Sequence, residues 1–171
     1  MTEPRSSDDA PAPSALPTLG RRGGGWVGIQ LLLIGALMVA GVRGRGDVEG
    51  LLLNVAVFLG TVLIVIGAGL IFAGIRALSR SVSAMPKPVD GGELVEDGPY
   101  AYVRHPIYLG LMFVAYGWSV AMDSIYALIM AVIFTVFLDL KSRREESWLR
   151  EQYPQYRVYA SHTKRFVPYI Y

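Results

Sequence analysis

The run from Leu51 to Leu78, LLLNVAVFLGTVLIVIGAGLIFAGIRAL, holds 28 residues with Arg76 as its single charge and no proline. About 20 apolar residues cross a hydrocarbon core of about 30 Å as a helix, so this run is long enough to span and to tilt or project beyond the bilayer. It does not alternate apolar with polar residues as a barrel strand must, and unpaired backbone cannot sit in lipid, which leaves a helix. Three further apolar runs share these properties: Trp26–Val42, Pro106–Met122 and Ser124–Leu138. Asp123 alone separates the last two, too little chain for anything but a tight helical hairpin. The expectation is an all-α integral membrane protein with about four transmembrane helices, at about 26–42, 51–78, 106–122 and 124–140. The last two form a C-terminal helical hairpin, followed by an amphipathic cytoplasmic C-terminal helix. Gly60, Gly67, Gly69 and Gly74 in the second run, and Gly110 and Gly117 in the third, are small residues that let helix backbones approach closely.

Composition agrees. The chain of 171 residues is 53% hydrophobic and 18% charged, less charge than a soluble domain of this size carries. It has no cysteine, which excludes disulfides, thiolate metal sites and thiol lipidation. The two histidines, His105 and His162, stand far apart and have no neighbours at metal-ligand spacing, so no metal is expected. No basic stripe with interleaved aromatics is present, so nucleic acid is not expected as a partner.

Residues 1–25 are rich in Pro, Ser, Ala and Gly and read as a disordered cytoplasmic tail, with a membrane domain over 26–171. Arg21 and Arg22 precede an apolar run that no small-residue cleavage site closes, so they read as a topology signal and not as part of an export signal. Of the 16 Lys and Arg residues, all but Arg43 and Arg45 fall in the N-terminal tail, the last turn of the second span with the segment after it, or the C-terminal stretch. With four spans those three pieces share one side, and the positive-inside rule makes that side cytoplasmic, with both termini on it.

Two polar stretches lie on that side, residues 92–110 and 141–168. The first contains GPYAYVRHPIYLG. Gly98-Pro99 interrupts any helix, and Pro106 suits a helix's first turn, where its missing N–H costs nothing. His105 then stands at a helix start, where free backbone donors attract a carboxylate or phosphate. The same residues also fit a membrane anchor, with Arg104 as the inside charge and Tyr100, Tyr102 and Tyr108 as an interfacial belt. In the second stretch, Lys141 with Glu145 and Glu146 with Arg150 lie four apart and can pair across a helix surface. Glu145 and Glu146 lie a few residues past an apolar run, where a half-shielded carboxylate is a good ligand for a cation. Arg165, Phe166 and Pro168, with Tyr156 and Tyr159 before them, fit a basic aromatic segment on anionic lipid.

The string LVEDGPYAYVRHPIYLG, followed after a hairpin by REESWL and then QYRVYASHTKRFVP, resembles the isoprenylcysteine carboxyl methyltransferase and phospholipid methyltransferase group of integral membrane enzymes. The shared pattern is approximately G-x-Y-x-x-x-R-H-P-x-Y-x-G, then E-E-x-x-L, then Y-x-x-Y and R-x-x-P, over about Leu94 to Pro168. The resemblance implies S-adenosyl-L-methionine as cofactor and a lipophilic acceptor reached from the bilayer: the carboxylate of an isoprenylcysteine-like compound or another lipid. It places cofactor-binding groups at Leu94, Val95, Tyr100, His105, Pro106, Ile107 and Tyr108, and at the acid pair Glu145 and Glu146, the first acid above all. One turn before that acid the eukaryotic carboxyl methyltransferases carry an arginine that meets the substrate. Lys141 stands there in this chain, with Arg144 nearby, and the two are candidates for positioning the acceptor. Lysine lacks the bidentate grip of a guanidinium. The family's F-G-x-x-Y is shortened here to YPQY. No obvious base lies in the hairpin, which favours an acid or thiol acceptor over an amine. Two other readings stay open: an NADPH-dependent reductase of the sterol type, which resembles the same R-H-P string, and a non-enzymatic adaptor presenting its basic end to lipid.

Overall fold

The computed structural model describes residues 16, 17, 19, 20, 23–78 and 94–167, and within them the protein is all-α. Five α-helices follow in order: α1 (Gly24–Arg43), α2 (Gly50–Leu78), α3 (Pro106–Ala121), α4 (Ile125–Gln152) and α5 (Tyr156–His162), with a 3₁₀ turn at Gly98–Ala101. Helices α1, α2 and α4 are long and apolar enough to cross a membrane, and α3 is a shorter apolar helix of 16 residues. Large side chains such as Leu32, Leu51, Phe58, Val65 and Phe72 are exposed along the long helices, as lipid-facing residues are. Most of the expected tail, with Arg5, Arg21 and Arg22, lies outside the described residues, as do Arg80, Lys87, residues 92–93 and Pro168. The described part of that tail is packed: Leu16 and Leu19 lie against the core, and Trp26 Nε1 donates to Pro17 O at 3.1 Å.

Helices α2 and α3 run antiparallel with glycine against glycine. A Cβ placed on Gly67 would stand 2.5 Å from Gly110 O, and one on Gly60 would stand 2.5 Å from Gly117 O. Gly74 closes the row against Ile107 and Pro106. Spacing of seven residues puts Gly60, Gly67 and Gly74 on one helix face, which is why this face and no other lets α3 in. Gly69 is off that face and meets nothing within 4 Å, so its expected packing role is not realised.

At the end remote from the polar stretches, the hairpin turn is locked. Asp123 adopts a positive φ of 50°, Gly46 N donates to its carbonyl at 2.9 Å, and Val48 N donates to its Oδ2 at 3.2 Å. Ser124 caps α4 by accepting from Ala127 N at 3.2 Å and ties it to α1 by donating to Ala40 O at 3.0 Å. With one end fixed, the other ends of α1, α2, α3 and α4 converge on the opposite side. Helix α4 runs on past its apolar part, as the sequence anticipates, and carries the acid pair there.

Candidate functional site

The 3₁₀ turn and the residues after it lead into α3 by way of an extended stretch, and the chain beyond α5 lies alongside that stretch. Val103 and Lys164 form a parallel bridge, Arg104 N donates to Lys164 O at 2.8 Å, and His105 N donates to Arg165 O at 3.2 Å. Tyr159 OH donates to Tyr100 O at 2.7 Å and fixes α5 to the turn. The two polar stretches are thus one structure, with α4 beneath it.

At its centre is Glu146, whose side chain is 1% exposed. Its Oε1 accepts from Arg104 Nε and Arg165 Nε, both at 3.0 Å, and lies 3.3 Å from His105 Nε2. Its Oε2 accepts from Arg165 Nη2 at 3.1 Å and Arg150 Nη2 at 3.3 Å. Arg165 also reaches Asp139 Oδ1 at 3.1 Å, while Arg143 holds Asp139 Oδ2 at 2.7 Å. Burial alone would lower the pKa of Arg165, but its bonds to Glu146 and Asp139 outweigh burial and push it above the usual guanidinium value. Arg104 further donates to Ala160 O and Thr163 O, so two guanidiniums pin the chain end to α3 and α4.

Glu145 is held differently. Tyr108 OH donates to its Oε2 at 2.8 Å, His105 Nδ1 lies 3.8 Å from the same oxygen, and the side chain keeps 24% exposure. The His105 ring therefore spans both acids, stacked on Tyr108 with centroids 5.3 Å apart and tilted against Phe166. Two neighbouring carboxylates have divided their work. Glu146 is consumed by guanidiniums, and Glu145 meets a hydroxyl and an imidazole at an open edge.

Among the residues expected from sequence, the structure brings His105, Tyr108, Glu145 and Glu146 into direct contact. Lys141 joins them from below: it is buried, its Nζ lies 5.0 Å from the Tyr108 ring centroid, and it donates to Gln30 of α1. Its ammonium is thus spent on Gln30 and the Tyr108 face, where the sequence suggested a helix-surface pair with Glu145. The other suggested pair, Glu146 with Arg150, is present. Pro106 opens α3 and is buried against Gly74 with Ile107. Leu94 packs on the buried tyrosines Tyr153, Tyr156 and Tyr159, Val95 follows it half-buried, and Tyr100 is buried beneath α5. Burial, and then the charge of Glu145, raise the pKa of Tyr100, so it stands as a neutral phenol and not as a base. Arg144 stacks over Trp148 at 4.6 Å and donates to Ser147 Oγ at 3.3 Å, both on its own helix.

Arg104 and Arg165, which the sequence allowed as surface anchors, point inward at Glu146, and Asp139 and Gln30 were not singled out at all. The signal for the last two was available, since an acid or amide inside an apolar run needs a polar partner in lipid.

The family model described as phospholipid methyltransferase matches residues 55–156, more than half of the chain. The nickel-cobalt-cadmium resistance protein NccN of Alcaligenes xylosoxydans xylosoxydans is 34% identical over 77 residues, which are 44% of this chain and 36% of that protein. The match thus spans about a third of that relative's length. The matched family segment includes the G-x-Y and R-H-P residues, the acid pair and the glycine-lined α2–α3 contact, and on that ground the chain belongs to the phospholipid methyltransferase family of membrane methyltransferases.

Proposed function

We propose that this protein transfers a methyl group from S-adenosyl-L-methionine to the polar end of a lipophilic acceptor at the cytoplasmic face of a membrane. The observation that carries this reading is the division between the two acids. A carboxylate kept partly open and clear of the guanidiniums, next to one saturated by them, is a place reserved for an incoming cation.

The residues fit the cofactor. Glu145 would take its ammonium, with Tyr108 and His105 orienting the carboxylate. Leu94, packed on the tyrosines of α5, and the half-buried Val95 next to it would offer the rest of the molecule an apolar wall. When bound, S-adenosyl-L-methionine supplies a methyl group on a cationic sulfur that a nucleophile displaces directly. Such a displacement disperses charge, so the protein's part is to position the two reactants and to exclude water. The aromatic packing over His105 serves the second purpose. Lys141, fixed by Gln30, stands on the bilayer side of Tyr108 and Glu145, where the polar end of an acceptor would arrive. With four membrane crossings, the placement of Lys and Arg would put both termini, and this end of the bundle, on the cytoplasmic side.

The test is calorimetric titration of the detergent-purified protein with S-adenosylhomocysteine, beside NADPH, on wild type and Glu145→Gln. Wild type is expected to bind S-adenosylhomocysteine and not NADPH. Loss of one charge-assisted contact should weaken the variant about 10- to 100-fold with little change in its melting temperature. Binding of NADPH alone would replace this reading with a reductase, and binding of neither with an adaptor.

A further inference from the structure

Tyr156 opens α5 with its side chain fully enclosed, at 1% exposure, among Tyr153, Tyr159, Leu94 and Leu149. Its ring meets Tyr159 edge-on at 5.8 Å. The two phenols, one turn apart, are treated unequally: Tyr159 OH is satisfied by Tyr100 O, while Tyr156 OH is buried and finds no hydrogen-bond partner among the described residues. A buried hydroxyl without a partner costs stability, and phenylalanine in its place would not.

The neighbourhood says what the hydroxyl is kept for. Burial foremost, then the charge of Glu146, raise the Tyr156 pKa, with Arg104 opposing and Glu145 adding to the rise, so the group lies within the field of the acid pair and remains a neutral donor. Of the groups nearby, both oxygens of Glu146 accept from guanidiniums, Ala160 O accepts from Arg104, and Tyr159 OH has given its hydrogen to Tyr100 O. An enclosed water needs two to four polar partners, and these surroundings offer few that are free.

We propose that Tyr156 is a binding residue for the methyl donor, its hydroxyl hydrogen-bonding the amino-acid end of the molecule whose ammonium Glu145 takes. The assignment rests on the function proposed above and adds to it a contact from α5. It makes the aromatic cluster over the site a part of ligand recognition as well as a cover.

Tyr156→Phe removes the hydroxyl and keeps the ring. The variant and wild type are titrated with S-adenosylhomocysteine and with 5′-methylthioadenosine, which lacks the amino-acid end, and both proteins are melted without ligand. The expected result is an affinity for S-adenosylhomocysteine about tenfold weaker, an unchanged affinity for any methylthioadenosine that binds, and a ligand-free midpoint that does not fall. Unchanged S-adenosylhomocysteine affinity overturns the proposal, and a lowered ligand-free midpoint beside it identifies the hydroxyl as structural. Equal weakening for both ligands overturns the assignment to the amino-acid end. Failure of wild type to bind S-adenosylhomocysteine is a separate outcome that removes the methyltransferase reading itself.

Discussion

Glu146→Gln is expected to lower the stability of the protein by about 3–5 kcal/mol, the cost of removing one partner from a buried ionic cluster. Glutamine keeps the shape and loses the charge. Arg104 and Arg165 would then remain largely buried, at 11% and 15% side-chain exposure, against a neutral amide, with Asp139 left to compensate Arg165 alone. Those two guanidiniums hold the chain end to the start of α3, so the damage should concentrate there. Thermal unfolding in detergent measures the loss, and limited proteolysis should find new cleavage after Tyr153. The neighbouring Glu145→Gln provides the contrast, since its carboxylate is partly open and has no guanidinium to abandon. If the two variants melted alike, the division of work between the acids would be wrong.

Gly67→Leu is expected to separate α2 from α3. The atom that a Cβ at position 67 meets at 2.5 Å is the carbonyl oxygen of Gly110, and a backbone atom cannot swing aside as a side chain can. Overpacking a tight contact costs about 1–3 kcal/mol, and four side-chain atoms in place of none belong at the upper end or beyond it. Between apolar helices in lipid, close packing is itself the main attraction, so the loss is not offset by burial elsewhere. Because Gly74 carries Pro106 and Ile107 in the same row, the shift should reach His105 and abolish binding of S-adenosylhomocysteine together with stability. Gly69→Leu, two residues along the same helix, meets open space and is expected to melt and bind as wild type. Equal damage from both variants would mean that leucine at any position disturbs this helix.

The helices were legible because lipid imposes one rule, that each crossing segment satisfy its own backbone, and runs such as Leu51–Leu78 announce it. Charges spaced four apart marked a helix surface in the stretch that α4 runs into, and the Glu146–Arg150 pair is formed there. What one dimension concealed was direction. Arg104 at a membrane threshold reads equally as an anchor facing water and as a clamp facing inward, and only the return of residues 163–166 alongside Val103–His105 decides between them. Helical spacing allowed Lys141 to pair with Glu145. Gln30, 111 residues away in sequence, takes its ammonium instead. The glycines were legible as a class and not individually: three share a face by sevenfold spacing, and Gly69 stands outside that register.

Helix α4 extends unbroken from Ile125 to Gln152. At 1.5 Å per residue, Glu145 stands about 30 Å along the axis from the first residue, which matches the thickness of the hydrocarbon core. The helix is therefore a depth gauge. On the proposed reading it sets the reacting group of an acceptor at headgroup level, and a bond midway along an acyl chain would lie about 7 Å too deep to be reached. Bilayer thickness becomes a setting of the enzyme: a thicker membrane draws the open carboxylate toward hydrocarbon and a thinner one lifts it into water, so turnover should peak where lipid length and helix length agree.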